Sequence, residues 1–242
     1  MTKINVDNIS LQFRIYKEGA STAKEYFSNL FNSSKKKSPT DFMALQNISF
    51  SVQEGERVGI VGRNGAGKST LLKTLSQVYK PTSGKITVKG KIAPLLEVGA
   101  GFHPDFSGRE NIYFNGAILG YTKSELKALE QEIIEFSELE DFIDTPVKYY
   151  STGMYMRLAF TMATTYKPDI LILDELFVGG DAKFVKRGKD RMNKMIDRSN
   201  MMILVSHDDK LLRSLCQRFI WLENGRIMAD GDATVLDKYS AF

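Results

Sequence analysis

Residues 62–69 have the residue types and the spacing that are needed to bind the phosphates of a nucleotide. They read Gly-Arg-Asn-Gly-Ala-Gly-Lys-Ser and match the pattern GxxxxGK[ST] in full. An apolar, strand-like segment at 58–61 precedes the match, and a helix-like segment at 70–73 follows it. Glycines let backbone N–H groups approach phosphates, a lysine reaches the β/γ-phosphates, and a serine hydroxyl binds Mg²⁺. The predicted nucleotide-binding residues are Gly62, Arg63, Asn64, Gly65, Ala66, Gly67, Lys68, Ser69 and Thr70.

Two carboxylates, Asp174 and Glu175, follow directly after the apolar segment at 170–173. A buried strand that ends in two acidic residues predicts a site for a metal ion and a water molecule. We expect Asp174 to bind Mg²⁺ together with Ser69, and Glu175 to polarise the attacking water. His207 comes just after a second apolar segment at 201–205, where strand ends face the ligand crevice of an open α/β sheet. It is predicted to contact the γ-phosphate.

The elements that must position these residues indicate an α/β fold. Alternating apolar residues predict a strand over 4–16, a strand pair over 43–53 and 57–62, and further strands over 85–96. The short apolar segments at 170–173 and 201–205 are typical of buried parallel strands. Residues 108–165 have helical periodicity and predict a helical subdomain inserted in the α/β core. Near the end of the chain, Asn224-Gly225 lies between two apolar segments and predicts a hairpin.

Composition limits the class of protein. The chain has 242 residues, of which 43% are hydrophobic and 26% charged, as in an ordinary globular domain. A net charge of +4 is too small to argue for nucleic acid, but it suits work beside an anionic membrane. The single cysteine, Cys216, cannot form an internal disulfide and is expected to fill the core. No apolar stretch is long enough to span a bilayer, and the first residues do not resemble a signal peptide.

The order of these motifs resembles an ATP-binding-cassette (ABC) ATPase, and residues 150–157 decide the resemblance. They read Tyr-Ser-Thr-Gly-Met-Tyr-Met-Arg and take the place of the family's LSGGQ signature. Ser151 and Gly153 match the signature, whereas Tyr150, Thr152 and Met154 depart from it. The resemblance covers almost the whole chain. It implies a P-loop NTPase core with a mixed sheet, an N-terminal antiparallel β-subdomain and the helical insertion.

The resemblance also implies ATP and Mg²⁺ as cofactors and a head-to-tail homodimer. In such a dimer the signature residues Ser151, Thr152 and Gly153 of one subunit would face the nucleotide on the other, at the start of a helix predicted over 153–165. Asp181 occupies the position of the family's D-loop and would lie at the dimer interface. The usual Q-loop glutamine aligns near 97–98, where Glu97 is a candidate to replace it at the metal or water. Tyr16 is the preferred aromatic for stacking on adenine; Phe13 and Phe42 are the alternatives, and any of the three could simply be core.

Three segments, 99–111, 150–160 and 174–184, are similar to those of lipid-linked polysaccharide exporters. That group exports O-antigen, capsule or teichoic acid on undecaprenyl diphosphate, and pairs with a small membrane permease of the ABC-2 type. This implies a peripheral subunit on the cytoplasmic face of the bacterial inner membrane. The insertion at 17–41, with a Phe/Tyr helix and Lys35–Lys37, also resembles the group. It is either a membrane-interface element or a solvated loop with a covering helix.

The division of the chain follows from the same resemblance. We expect one nucleotide-binding domain over 1–242, with an α/β core and β-subdomain at 1–96 and 166–242. The Q-loop-like segment and helical subdomain would occupy 97–165. Because the chain stops at Phe242, no C-terminal carbohydrate-binding domain is expected. Two other classes of function fit the sequence less well. A soluble ABC ATPase would usually carry a second cassette or a long coiled coil, and a P-loop kinase gives no reason for residues 150–157.

Overall fold

The structure, a computed structural model, describes residues 2–15, 40–96, 99–165, 168–175 and 181–242. Tyr16, Glu97 and residues 17–39 of the predicted insertion lie outside the described residues. Within these ranges the strands are β1 (Lys3–Ile15), β2 (Thr40–Gln53), β3 (Arg57–Val61), β4 (Ser83–Lys89), β5 (Ile92–Leu95), β6 (Ile170–Asp174), β7 (Met201–Val205), β8 (Arg218–Glu223) and β9 (Arg226–Gly231). The helices are α1 (Lys68–Leu75), α2 (Gly108–Ile118), α3 (Lys123–Ser137), α4 (Thr152–Thr165), α5 (Ala182–Arg198), α6 (Asp209–Leu215) and α7 (Thr234–Ser240).

A six-stranded mixed sheet with the order β5-β6-β7-β3-β8-β9 forms the centre of the molecule. Its pairs are parallel except for the β8–β9 hairpin. The apolar side chains of β6 and β7 are almost fully buried and alternate between two hydrophobic clusters, one on each face of the sheet. A strand covered on both faces needs a continuous apolar sequence, and the segments at 170–173 and 201–205 have one. Both were correctly predicted as buried parallel strands.

A second, antiparallel sheet has the order β2-β1-β4. The central strand β1 buries Ile4, Val6, Ile9 and Leu11 against the core. The strands predicted over 43–53 and 57–62 are present as β2 and β3, but they do not pair with each other. β2 pairs with β1, whereas β3 lies between β7 and β8 in the mixed sheet. The turn between them therefore carries the chain from one sheet to the other.

The helices α2, α3 and α4 form a helical cluster with a hydrophobic core of its own. Two of them begin with a capping box, Ser107 with Glu110 on α2 and Thr122 with Glu125 on α3. In a capping box a side chain satisfies the first free backbone N–H groups, which fixes where the helix starts. The buried core of the cluster consists of Ile112, Ile133, Ile134, Leu139, Ile143, Val147, Leu158 and Met162.

Three further predictions concern the C-terminal hairpin, the single cysteine and membrane-spanning segments. Asn224 and Gly225 both have positive φ, 48° and 73°, as a tight turn between β8 and β9 requires, so the predicted hairpin is present. Cys216 is buried in the core, and this burial raises the pKa of its thiol to about 12. No helix in the part of the chain that the structure describes is long and apolar enough to cross a bilayer.

Candidate active site

The phosphate loop, residues 62–67, joins the end of β3 to the start of α1. Gly67 immediately precedes the helix with φ 103°, a left-handed conformation that glycine adopts without strain. A Cβ atom at Gly62 would collide with the backbone carbonyl oxygen of Leu222 on β8. The first glycine of the loop is therefore required by close packing against the neighbouring strand. The loop leaves the free N–H groups of the α1 N-terminus facing an open cleft, which is a favourable place for an anion.

Lys68, the first residue of α1, folds its side chain back over the loop. Its Nζ donates hydrogen bonds to the carbonyl oxygens of Gly62 at 2.7 Å and Arg63 at 3.0 Å. Only 8% of the residue is exposed, and burial lowers the pKa of its ammonium group. The negative charges of Asp174, Glu175 and Glu223 oppose that shift. The buried ammonium is thus held by weak neutral acceptors, which a phosphate oxygen could replace.

Strand order brings the predicted catalytic residues together. Ser69 follows β3, Asp174 ends β6 and His207 follows β7, and these three strands are neighbours in the order β6-β7-β3. Carboxyl ends of parallel strands meet at one edge of a sheet, so residues far apart in sequence become close. The Ser69 hydroxyl donates a hydrogen bond of 2.8 Å to Oδ2 of Asp174. Both are hard oxygen donors of the type that Mg²⁺ takes in proteins.

Glu175 lies just beyond the sheet in an unusual backbone conformation. Its φ is 59°, which is uncommon for a residue other than glycine, and its N–H donates to the carbonyl oxygen of Val205 at 2.9 Å. This conformation turns the side chain away from the strand toward His207. Nε2 of His207 is 3.8 Å from Oε1 of Glu175, and both side chains are more than half exposed. The carboxylate and the imidazole therefore face the same solvent-filled space.

A cleft of about 370 Å³ lies in front of these groups. It is lined by Phe42, Ala44 and Val205 together with the predicted residues Asn64, Gly65, Gly67, Lys68, Ser69, Thr70, Asp174, Glu175 and His207. Among the three aromatic candidates for adenine, Phe42 is 51% exposed and borders the cleft. Phe13 instead packs edge-on against Tyr79 beside the core, and Tyr16 lies outside the described residues. The geometry favours Phe42 over Phe13.

The signature segment lies at the start of α4 and is exposed. Ser151, Thr152 and Gly153 form the first turn, where Oγ of Ser151 accepts a hydrogen bond from the N–H of Met154 at 3.2 Å. Within the described ranges they do not line the cleft. Asp181 caps α5 by accepting a hydrogen bond from the N–H of Phe184 at 2.9 Å, and this hydrogen bond lowers its pKa. Neither the signature residues nor Asp181 are among the described residues that line the phosphate-loop cleft of the same chain.

Two tyrosines that carried no predicted role fix the signature helix in place. The Tyr150 hydroxyl donates to the carbonyl oxygen of Phe142 at 2.8 Å, and burial raises its pKa to about 12. The Tyr155 hydroxyl donates to the carbonyl oxygen of Gly99 at 2.8 Å, and a Cβ at Gly99 would overlap the Tyr155 ring. These contacts are non-local, so sequence alone gives no signal for them beyond a glycine at position 99. The Tyr155 contact connects Gly99 to the signature helix, and the Tyr150 contact connects that helix to the turn after α3.

A match to a known protein family identifies the class of protein that carries this arrangement of residues. Residues 45–178 match the ABC transporter family, which is more than half of the chain and includes the phosphate loop, the signature and the acidic strand end. The chain belongs to the ABC transporter family. The predicted resemblance is confirmed.

Curated members of this ABC family include close relatives. The O-antigen export system ATP-binding protein RfbB of Klebsiella pneumoniae is 38% identical over 95% of this chain and 94% of its own length. The protein of the same name from Myxococcus xanthus is 49% identical over 78% of this chain, but the match spans 43% of that longer protein. The teichoic acids export ATP-binding protein TagH of Staphylococcus haemolyticus is 35% identical over 99% of this chain and 88% of its length.

Solved ABC structures have the same fold. One is a dimeric ATP-binding cassette in a post-hydrolysis state bound to ADP and Pi, with a TM-score of 0.67 and 20% identity over 95% of this chain and 98% of that one. Another is an ATP-binding subunit of an ABC transporter, with a TM-score of 0.69 and 21% identity over 98% of this chain and 93% of that one. The predicted α/β fold, with a mixed sheet, flanking helices and an N-terminal antiparallel sheet, is confirmed.

Proposed function

We propose that this chain is the ATP-hydrolysing subunit of an ABC exporter that moves undecaprenyl-diphosphate-linked polysaccharide across the cytoplasmic membrane. The cargo would be of the O-antigen, capsule or teichoic-acid type. The convergence of Lys68, Ser69, Asp174, Glu175 and His207 on one cleft carries the ATPase part of the proposal. The export part rests on relatives whose names state O-antigen or teichoic acid export and which are similar over most of this chain.

Nucleotide binding would use the phosphate loop as it stands. Free N–H groups of the loop and of the first turn of α1 would surround the phosphates, and the positive end of α1 would stabilise their charge. The Lys68 ammonium would exchange its hydrogen bonds to the carbonyl oxygens of Gly62 and Arg63 for hydrogen bonds to the β/γ-phosphate oxygens. The new hydrogen bonds would be stronger because both partners are charged. Phe42, at the margin of the cleft, is placed to contact the base. Tyr16 remains the candidate proposed from the sequence.

The metal ligands fit Mg²⁺. The Ser69 hydroxyl and the Asp174 carboxylate already adjoin each other at 2.8 Å, and both are oxygen donors. These two residues would hold the ion, and Glu97 is proposed as a further contact. When bound, Mg²⁺ would neutralise charge on the β- and γ-phosphate oxygens.

Hydrolysis would depend on Glu175 and His207. Glu175 is proposed to accept a proton from the attacking water, because its exposed carboxylate lines the cleft next to Asp174. His207, 3.8 Å from Glu175, is proposed to donate a hydrogen bond to the γ-phosphate. Asp174 and Glu175 are adjacent in sequence but have different proposed roles. Asp174 would bind the metal, and Glu175 would accept a proton from the water.

The complete site would be built by two copies of this chain in a head-to-tail homodimer. Ser151, Thr152 and Gly153 form an exposed helix start with free backbone N–H groups, which can bind a γ-phosphate on a second subunit. Asp181, exposed at the start of α5, would lie at the same interface. A solved relative of the same fold is dimeric. Each ATP would then be held between the phosphate loop of one subunit and the signature of its partner.

An integral-membrane permease of the ABC-2 type is the proposed partner for transport. The ATPase dimer would bind it from the cytoplasmic face of the bacterial inner membrane, as a peripheral subunit. We also propose that residues 1–242 form one nucleotide-binding domain, with 1–96 and 166–242 as core and 97–165 as the Q-loop-like segment and helical subdomain. A soluble, non-transport ABC ATPase is the alternative, and the names of the relatives argue against it.

A Glu175→Gln variant tests the ATPase mechanism. The substitution keeps the shape of the side chain and removes its basicity, so we expect ATP binding close to that of the wild type. Turnover should fall by roughly 100-fold or more, and the variant should accumulate as a dimer in ATP. Glu140→Gln, an exposed and equally conservative change, is the control and should keep full turnover. ATPase rates and size-exclusion chromatography provide the measurements. Wild-type turnover in Glu175→Gln would rule out the role given to this residue.

A further inference from the structure

Helix α5 carries the positive charge of this protein. It has seven lysine and arginine side chains and two aspartates, for a net charge of +5. The whole chain has a net charge of +4, so the rest of the molecule is slightly acidic. The proposed function gives a role only to Asp181, the residue that caps the start of this helix. A strong concentration of one sign of charge on one element points to an anionic partner for that element.

Four of these cations line a single groove. Arg187, Arg191, Lys194 and Arg198 are spaced by four, three and four residues, so they follow one face of α5. This face borders a groove of about 520 Å³ between α5, α3 and the C-terminal end of α4. Like charges at these spacings destabilise a helix in the absence of a counter-charge. Their arrangement around a concave space therefore needs an explanation other than helix stability.

Two of the four cations are already paired with carboxylates. Arg187 pairs with Glu138 and lies over the ring of Phe136. Arg191, whose side chain is only 15% exposed, binds Glu132 at 2.9 Å and donates hydrogen bonds to the hydroxyls of Thr164 and Thr165. These contacts hold both guanidinium groups in fixed positions on the ring of Phe136. They form the rigid wall of the groove.

The other two cations, Lys194 and Arg198, are exposed and make no ion pair with any residue that the structure describes. The acidic residues at the groove are Glu132, which Arg191 engages, and Asp190, which precedes Lys194 by four residues on the same helix. Asp190 cannot neutralise both free cations. The groove thus keeps an excess of positive charge that no carboxylate of the described chain balances.

We propose that this groove is a second anion site, which binds a compact, phosphate-bearing small molecule. The cations Lys194 and Arg198, unpaired within the described chain, are suited to phosphate oxygens, and the volume is that of a small-molecule site. The concave shape favours a ligand that enters the groove over a flat bilayer surface. The site shares no lining residue with the ATP cleft, so it is separate from the proposed catalytic function.

Inorganic pyrophosphate is the probe for this site. Titration calorimetry is done without metal on the 242-residue protein carrying Lys68→Ala, which weakens anion binding at the phosphate loop. We expect saturable binding of one pyrophosphate per chain. Adding Lys194→Gln and Arg198→Gln should raise the Kd by about tenfold or more, because two charged contacts are lost. The control adds Lys186→Gln and Lys189→Gln, which remove the same charge from exposed positions of α5 outside the groove.

The control separates a site from general electrostatic attraction. Equal weakening by the two pairs of substitutions, or no binding to Lys68→Ala protein, would overturn the proposal. A parallel arm measures sedimentation with phosphatidylglycerol vesicles, where the two pairs should behave alike. Loss of vesicle binding in the groove pair alone, without loss of pyrophosphate binding, would assign the groove to lipid headgroups instead. In a protein that keeps Lys68, the groove pair should leave the ATPase rate unchanged, which makes the test independent of the catalytic proposal.

Discussion

At the scale of single residues, the account depends on close contacts in the phosphate loop. Gly62 and Gly65 stand three residues apart in the same loop and both have positive φ. They differ in their surroundings, because a Cβ at Gly62 would meet the backbone of Leu222 whereas a Cβ at Gly65 would meet nothing within 4 Å. The loop therefore needs its first glycine for packing and its second only for backbone freedom.

Alanine at each position tests this difference. Gly62→Ala must displace a backbone strand and should lower the free energy of unfolding by about 3 kcal/mol. Gly65→Ala adds only left-handed strain and should cost about 1 kcal/mol. Urea unfolding, followed by circular dichroism without nucleotide, measures both. Equal losses for the two variants would contradict the packing of β8 against the loop.

The same residues show what sequence can predict. The phosphate loop, Asp174, Glu175 and His207 were identified from sequence because their chemistry requires short, local patterns after apolar strands, and the structure brings them to one cleft. The roles given to them remain proposals. Among the described aromatic candidates, Phe42 borders the cleft and Phe13 does not, a distinction that depends on how β1 and β2 pack. Local sequence does not encode that packing.

At the scale of elements, the start of α4 is held by a tyrosine where the family signature has leucine. The Tyr150 hydroxyl donates to the carbonyl oxygen of Phe142, and its ring packs on the core of the helical cluster. Tyr149, its neighbour, is 69% exposed. The departure from the signature at position 150 therefore has a structural consequence: it ties the helix that carries Ser151 and Gly153 to the turn after α3.

Removing the two hydroxyls one at a time tests this anchor. Tyr150→Phe should lower the free energy of unfolding by about 1 kcal/mol, because it removes one of the two hydrogen bonds that the carbonyl oxygen of Phe142 accepts and leaves the one from the N–H of Thr145. Tyr149→Phe removes an exposed hydroxyl and should change it by less than about 0.5 kcal/mol. Thermal and urea unfolding provide the comparison. If Tyr149→Phe were the more destabilising change, the anchor would be misassigned.

Pairing between elements was the least predictable part of the fold. The strands at 43–53 and 57–62 were predicted as a pair, yet they enter different sheets. The prediction failed because the sequence of a short turn does not show whether the chain folds back or crosses to another sheet.

The ion pairs of Glu138 were equally hard to predict from sequence. Its carboxylate pairs with Arg157 on α4 and with Lys183 and Arg187 on α5, joining the helical cluster to the core through residues that are distant in sequence.

At the scale of the whole molecule, the proposal requires sites shared between two chains. The signature residues are exposed and do not line the cleft of their own chain within its described part. A phosphate-loop variant and a signature variant would then disable opposite halves of a composite site. In a mixed dimer, one site would carry both defects and the other would carry none.

Mixing subunits tests this arrangement. Lys68→Ala and Gly153→Asp proteins should each be inactive as homodimers. An equal mixture should regain about a quarter of wild-type ATPase activity, since about half of the dimers are mixed and each has one intact site. ATPase assays on the separate and mixed proteins decide the question. A mixture as inactive as its components, with mixed dimers demonstrated, would exclude shared sites.

The central claim, an ATPase that drives polysaccharide export, is tested most directly by capture from the membranes of the native host. Tagged Glu175→Gln protein is purified with ATP, and everything retained is identified by mass spectrometry. The account predicts a multi-helix membrane permease together with an undecaprenyl-linked glycan, whose structure would identify the cargo. Recovery of ribosomes or DNA without any membrane subunit would contradict the export function and support a soluble ABC ATPase.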